Sequence, residues 1–361
     1  MGDEFEMYQP HTLSKKEMNL DGPYKVYGAN GVIGKHSEFN HETSQIMIGC
    51  RGTCGVVNIS EPKSWINGNV MVIKSKRKNI DFEFLKYFLK YGLDLSAITT
   101  GASQPQITRQ SLSRLKIKIP PLNVQQSISK IFHSADKILY HREQAINRLN
   151  RLIQNVFFEM FGDPLVDNNL FPKKKLQDLG SLDRGISKHR PRNDPILLNG
   201  PYPLIQTGDV SKCDDIIYNY SRTYSEIGLK QSKLWPTGTL CITIAANIAR
   251  TGILGIKACF PDSIVGFIAN DKVLSNYVKH CLSFFQKKLE DKATSSAQKN
   301  INLEVLRNLF IPVPPIELQK KFCKKVDLIQ NYKLSQNKNL NKIIAMKNSI
   351  IHKIFYVNEN V

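Results

Sequence analysis

The strongest constraint on this chain is that it repeats itself. Gln104, Ile107, Leu112, Leu115, Ile117, Pro120, Pro121 and Gln125 recur as Gln298, Ile301, Leu306, Leu309, Ile311, Pro314, Pro315 and Gln319, every one displaced by 194. FLKYFLKY from Phe84 matches YVKHCLSF from Tyr277 at a displacement of 193, and Gly22-Pro23-Tyr24 matches Gly200-Pro201-Tyr202 at 178. A repeat of this period means two copies of one folding unit, with about 16 additional residues between those anchors in the second.

Each copy reads as short strands and turns, one helix (near Asp81 to Tyr91, and Asn276 to Leu289), and a short β-branched strand closing at a double proline. Proline supplies no amide donor and disfavours helix in the residue before it, so the pair ends the strand and redirects the chain. A long helix follows directly. Between Asn123 and Phe161, Ile128, Ala135, Leu149 and Val156 fall on one heptad position and Ile131, Ile138, Ala145 and Leu152 on the other. The later copy places Phe322, Ile329, Ile343 and Ile350 on the first position, with Arg142 and Gln336 as the shared polar break, and Lys325, Tyr332, Asn339 and Met346 on the second. That spacing is a coiled-coil seam. Two separately buried amphipathic helices are the plainer alternative, but about 39 residues at 1.5 Å each make roughly 58 Å, more than a small domain uses.

The charge narrows the partners. Fifty Lys and Arg against 31 Asp and Glu give +19, divided as +7 up to Gly162 and +12 beyond it, so both halves favour an anionic partner, nucleic acid or membrane surface. The longest apolar run, Leu240 to Ala249, is about half of a bilayer span, and Met1 to Pro10 is acidic and unlike a signal peptide. Seven scattered cysteines suit a reducing compartment, so a cytoplasmic protein is expected.

In the order and duplication of its motifs the chain resembles the specificity subunit of type I restriction-modification systems. The resemblance rests on GANGVIGKHSEFN and GCRGTCGVVN in the first copy and AANIARTGILGIKACFPDSIVGFI in the second. It rests also on the paired SQPQIT and SAQKNI segments and on FFEMFGDP from Phe157 to Pro164. It implies an α+β protein with two target recognition domains, each followed by a long helix, the two helices pairing as an antiparallel coiled-coil spacer. The corresponding division is recognition domain 1 at 1–122, a central helix at 123–161, recognition domain 2 at 162–315 and a C-terminal helix at 316–361. The second copy has a domain opening, FPKKKLQDLG, that the first lacks, so recognition domain 1 is expected either to be shortened or to start upstream of Met1.

The resemblance further implies a subunit without catalysis of its own, reading a bipartite asymmetric site on double-stranded DNA. Modification subunits, and restriction subunits where present, would dock on it and hold S-adenosylmethionine, ATP and magnesium. A coiled-coil scaffold with no sequence-specific DNA binding, and the recognition part of a fused restriction-modification enzyme, are the competing readings.

Residues weighed for catalysis or ligands agree with a non-catalytic chain. No G-x-x-x-x-G-K-[ST] phosphate loop and no Asn/Asp-Pro-Pro-aromatic loop occurs, and Gly28 to Gly34 has the spacing of a turn rather than a dinucleotide loop. Cys50, Cys54, His36 and His41 lack a second cysteine pair for zinc, and Glu290-Asp291-Lys292 is a charged helix end before it is a nuclease motif. Phosphate and base contacts need Lys, Arg and bidentate polar groups in loops. The DNA-binding candidates are Arg51, Lys74, Lys76, Arg77, Lys78 and Arg109 in the first domain, and Lys188, His189, Arg190, Arg192, Arg250, Lys292 and Lys299 in the second. Asn30 and Asn247, in turn-like segments, have turn and adenine-facing readings, as Gln104 and Gln298 have structural and DNA-facing ones.

Overall fold

The computed structural model describes residues 1–19, 21–101, 104–166, 170–294 and 300–356 and divides into two compact units, Met1–Gln144 with Asn337–Val361 and Ala145–Gln336. In unit 1, β1 (Phe5–Tyr8), β4 (Ile46–Gly49), β5 (Val57–Ile59) and β7 (Val70–Ser75) form a sheet ordered β1-β7-β4-β5. A smaller sheet joins β2 (Tyr24–Gly28), β3 (Gly31–His36) and β6 (Trp65–Ile66) in the order β3-β2-β6. The central strand β4 is apolar and buried at every position, as a strand covered on both faces must be. Asp81 caps α1 (Phe82–Tyr91) by accepting from the Phe84 amide at 2.7 Å, and Thr108 with Ser111 forms a capping box on α2 (Arg109–Ser113). The 40-residue α3 (Leu122–Phe161) then begins in unit 1 and ends in unit 2.

Unit 2 opens with β8 (Lys173–Lys175) and β9 (Gly180–Arg184), followed by β10 (Leu198–Leu204), α4 (Thr207–Lys212), β11 (Ile216–Ile217), β12 (Arg222–Tyr224) and α5 (Glu226–Lys230). Next come β13 (Leu240–Thr243), β14 (Thr251–Leu254), β15 (Ile264–Ala269), α6 (Ser275–Thr294), α7 (Leu303–Arg307), β16 (Phe310–Pro312) and α8 (Ile316–Phe355), the last of which ends in unit 1. Its main sheet runs β11-β14-β13-β15-β9, and the pairs β10-β12 and β16-β8 stand beside it. The fold is thus α+β in both units. Among the described residues no helix is long and apolar enough to cross a membrane.

The strongest internal repeat is a buried glutamine. Gln125 Oε1 accepts from the Asp81 amide (2.9 Å), and its Nε2 donates to the carbonyls of Asn79 (3.1 Å) and Pro120 (2.8 Å). Gln319 does the same for the Leu274 amide (2.9 Å) and the carbonyls of Lys272 (3.0 Å) and Pro314 (2.9 Å). In both units this side chain ties the start of the long helix to the double proline and to the entry of α1 or α6, where backbone groups lack intrahelical partners.

Two expectations change. The first heptad position is buried or half-buried as read, but the second lies one residue further on. Ile131, Ile138 and Leu152 are exposed, while Phe132, Leu139, Ile146, Ile153 and Met160 turn inward. The later helix shifts likewise, to Val326, Lys333, Leu340, Lys347 and Ile354 in place of Lys325, Tyr332, Asn339 and Met346. Heptads alternate steps of three and four, and a run of isoleucines at the wrong step outweighed the aromatic and long side chains that set the face. Within each unit the start of one helix packs against the end of the other, as an antiparallel pair does. Phe132 stacks on Phe355 in unit 1, and Phe157 and Phe161 meet Phe322 in unit 2.

The strand expected before the double proline forms only in unit 2, where Phe310, Ile311 and Pro312 pair with Lys175, Lys174 and Lys173 of the FPKKKLQDLG opening. The equivalent stretch of unit 1 has no such partner and no strand. There the Gly2 amide donates to the Ser113 carbonyl at 3.1 Å instead.

Candidate nucleic-acid interface

In unit 1 the turn between β4 and β5 is closed by two hydrogen bonds, Gly49 N to Val56 O and Gly55 N to Gly49 O, both 2.9 Å. Gly52 and Gly55 sit at φ +80° and +79°, where a side chain would be strained. The Ile107 amide donates to the Cys50 carbonyl (3.0 Å), and Arg51 bridges Gln106, so residues 104–109 run alongside this turn. The β2–β3 hairpin closes on it from another side. A Cβ on Gly49 would lie 2.9 Å from the Ala29 carbonyl and 3.2 Å from its Cβ. Three strings separated in sequence, GANGVIG, GCRGTCG and QPQIT, therefore meet at one edge, where Asn30, Arg51, Gln104 and Arg109 are exposed.

Unit 2 builds the same turn between β13 and β14. Thr243 N donates to Arg250 O (2.9 Å), Ala249 N to Thr243 O (2.8 Å), and Ile301 N to Ile244 O (2.9 Å), each bond displaced by 194 from its counterpart. The left-handed positions are here filled by Ala246 (φ 43°), Asn247 (φ 43°) and Ala249 (φ 59°). Non-glycine residues in that region cost on the order of 1–3 kcal/mol each and persist where the surroundings impose them. The buried Thr243 hydroxyl imposes it, donating to the Asn247 carbonyl (2.5 Å) and accepting from the Arg250 amide (3.0 Å). Ala246, Asn247 and Arg250 are exposed on the outside of the turn. Where unit 1 continues from β2 into a hairpin, unit 2 continues from Tyr202–Gln206 into α4.

Not all candidates lie at these edges. β7 pairs with β4 so that Val70 faces Gly49 and Ile73 faces Ile46, which places Lys74 to Lys78 at the end of the strand away from Arg51. Lys74 lies over the Tyr8 ring (5.1 Å), Lys76 donates to the Gly2 carbonyl (2.8 Å), Arg77 pairs with Glu4 (2.5 Å) and Lys78 is exposed. In unit 2 the loop 185–194 leaves the same end of the main sheet as the Thr243 turn, since Gly185 bonds Ile264 and Ile264 pairs with Thr243. Gln231 Oε1 accepts from the Lys188 and His189 amides, and His189 Nε2 meets Asp194 at 3.0 Å. Arg190 donates to the carbonyls of Ser187 and His189, and Arg192 Nη2 reaches both oxygens of Asp262 at 2.7 and 2.8 Å. Those guanidiniums, though exposed, are engaged within the protein, whereas the Lys188 side chain is exposed at the same loop. Lys292 belongs to α6, whereas its side chain, Lys299 and Gln298 lie outside the described residues.

The cysteines of the unit 1 turn act on backbone. Cys54 donates to the Pro105 carbonyl (2.9 Å) and Cys50 to Ile48 (3.4 Å), and burial pushes the Cys50 thiol up to about 12, far from the thiolate a metal needs. His41 is engaged with Tyr8 (2.9 Å) and Asn40 (2.6 Å), and burial and then Lys74 keep its pKa low. Among the described residues no group of three or more His, Cys, Asp or Glu could hold a metal ion. Sequence reasoning missed Thr243, detectable only by noticing that it replaces Gly49 in the repeat. It also missed the exposed pair Val32 and Ile33, whose one signal is two adjacent apolar residues between glycines.

Two α+β domains, each offering a braced turn with different exposed side chains, define a duplicated surface for recognition. The chain belongs to the type I restriction modification DNA specificity domain family, whose model matches residues 1–151 and 169–346. It is similar to a putative type I restriction enzyme specificity subunit of Haemophilus influenzae, 24% identical over 324 residues that cover 87% of this chain and 82% of the relative. It is also similar to the EcoBI specificity subunit of Escherichia coli, 25% identical, covering 92% and 73% respectively. The crystal structure of a type I system S subunit from M. genitalium shares the fold, with a TM-score of 0.60 at 16% identity over 98% of this chain and 94% of that one.

Proposed function

We propose that this specificity subunit reads a bipartite asymmetric sequence on double-stranded DNA, one half-site per domain, and performs no chemistry itself. The observation that carries this is the turn built twice on the same hydrogen bonds with different outward residues, Arg51 in one copy and Ala246, Asn247 and Arg250 in the other. A shared frame with dissimilar faces suits two different half-sites. Arg offers paired donors to the two acceptors of guanine, and Asn a donor and an acceptor to adenine, so both can distinguish base edges in the major groove. Asn247, whose backbone the Thr243 hydroxyl holds at φ 43°, is well placed for such a contact.

Modification subunits, and restriction subunits where the system has them, bind this chain and carry S-adenosylmethionine, ATP and magnesium. The face of α3 that the heptad shift turns outward supports such docking. In unit 1, Val124, Ile131 and Ile138 lie 41–48% exposed one heptad apart, an apolar line that a partner helix would cover. Reconstitution with a modification subunit and mapping of the methylated adenines tests the whole reading. Two short half-sites at a fixed separation are expected. Methyl transfer by this chain alone would sink the non-catalytic part, and equal affinity for all duplexes would leave only a protein scaffold.

A further inference from the structure

The β2–β3 hairpin contains a β-bulge. Val26 pairs with Gly34 and Tyr27 with Val32, so Ile33 is an extra residue on β3. Ordinary alternation would send Val32 and Ile33 to opposite faces, and the bulge instead leaves both exposed, at 54% and 46%. The arrangement is built rather than incidental, because Gly28 makes room for it. A Cβ there would come within 2.9 Å of Ile33 Cγ2. The pair stands next to the tip of a hairpin whose Ala29 packs on Gly49, hence beside the Arg51 turn, with Lys35 exposed two residues further on.

An exposed apolar pair within a basic edge points to a ligand that is anionic overall and apolar at one spot. Double-stranded DNA meets that description in its major groove, which admits a two-stranded β-ribbon and where the only apolar group on any base edge is the 5-methyl of thymine. Resting on the DNA-reading assignment above, we propose that the bulged Val32–Ile33 pair contacts a thymine methyl and fixes an A·T pair in the half-site read by the first domain. Arg51 and Lys35 then supply the polar and electrostatic contacts on either side of it.

The test uses the reconstituted modification complex and duplexes carrying its mapped site, with each thymine replaced in turn by deoxyuridine, which lacks only that methyl. The half-site relaxed by Arg51→Ala identifies the first domain's share. At one position of that half-site the replacement should weaken binding about fourfold, the worth of one buried methyl-sized group. In the Val32→Ser/Ile33→Ser variant binding to the thymine duplex should fall, and the difference between thymine and deoxyuridine should vanish. Unchanged affinity of that variant for the second half-site would show that it is folded, with Val32→Ala/Ile33→Ala as the milder substitute if it is not. A first half-site without an A·T pair, no sensitive position, or a difference that persists in the variant overturns the contact while leaving the DNA-reading assignment intact. Arg51→Ala without effect on either half-site overturns both.

Discussion

Where the long helices meet the domains, the two units solve one packing problem in different ways. Unit 1 places Lys347 in the seam, where its Nζ meets Asp136 (2.5 Å) and the Tyr91 hydroxyl (3.0 Å), while Tyr87 donates to the same carboxylate at 2.9 Å. Unit 2 has Ile153, Gln330, Phe284 and His280 at the equivalent positions, and an aromatic cluster of Phe157, Phe161, Tyr277, Phe284 and Phe322 fills the space. A backbone frame fixed by the glutamine latch and the double proline accepts an ion pair among aromatic rings in unit 1, where Phe132 packs on Tyr87, Tyr91 and Phe355, and rings and apolar side chains in unit 2. The ion pair holds only because every member has a partner.

The largest effect should expose that asymmetry. Phe157 is fully buried, so Phe157→Ala should destabilise unit 2 by about 3–5 kcal/mol. Its counterpart Ile351 is only half-buried, and Ile351→Ala should cost unit 1 appreciably less. Hydrogen exchange of the native protein, resolved by unit, separates the two. Equal losses in both would mean that the aromatic cluster carries no special share of unit 2.

The latch makes the opposite prediction, of sameness. Gln125→Ala and Gln319→Ala each deprive one amide and two carbonyls, mostly half-buried, of this partner, a loss of about 1–2 kcal/mol in either unit. Urea unfolding followed by probes in each domain would detect it, and a much smaller loss in one unit would show that the repeat is geometric there without being energetic.

At the recognition edges the comparison is one of position against identity. Arg51→Ala and Asn247→Ala should each relax one half-site and leave the other intact, by about 1–3 kcal/mol in discrimination, read as methylation across a library of half-site variants. Thr243→Val removes the brace without touching the exposed face. If the strained turn is what aims Asn247, this change should loosen the same half-site as Asn247→Ala.

What the sequence disclosed follows from what repeats. The duplicated Gln, Leu, Ile and Pro-Pro positions announced the two domains and long helices because those residues do the same backbone work twice. The second seam position was not legible, since Ile131 and Ile138 satisfy a heptad as well as Phe132 and Leu139 do, and only tertiary packing decides between adjacent faces. Arg190, Arg192 and Arg77 read as free cations because their carboxylate partners, Asp262 and Glu4, are distant in the chain. Gly28 to Gly34 was legible only as a turn, and it is the register of β3 with Tyr27 that shows the Val32–Ile33 pair to be a bulge.

The smallest expected effect comes from pH and again divides the units. In unit 1 burial alone would raise the Asp136 carboxyl, but hydrogen bonds from Lys347 and Tyr87 outweigh it and hold the pKa low. Burial likewise opposes the Lys347 charge, while Asp136 and Tyr91 raise its pKa above the ordinary lysine value. The first contribution is lost only as pH falls through the lowered carboxyl pKa and the second only as pH rises through the raised amine pKa, so the network is flat between pH 5 and 8. In unit 2 burial, and then the Lys279 charge, push His280 well below the ordinary histidine value. The unfolded chain takes up that proton below about pH 6.5 and the folded one does not, so unit 2 loses stability as pH falls below that value, by at most about 1.4 kcal/mol per pH unit. Both units should therefore weaken between pH 7.5 and 5, unit 2 more steeply through the deeply buried His280 and unit 1 less through His41, whose pKa burial and then Lys74 also lower. His280→Phe, which matches the apolar surroundings and removes a buried ring nitrogen that has no partner, should flatten the unit 2 profile. A slope that survives the substitution would move the proton to another group and remove His280 from the comparison.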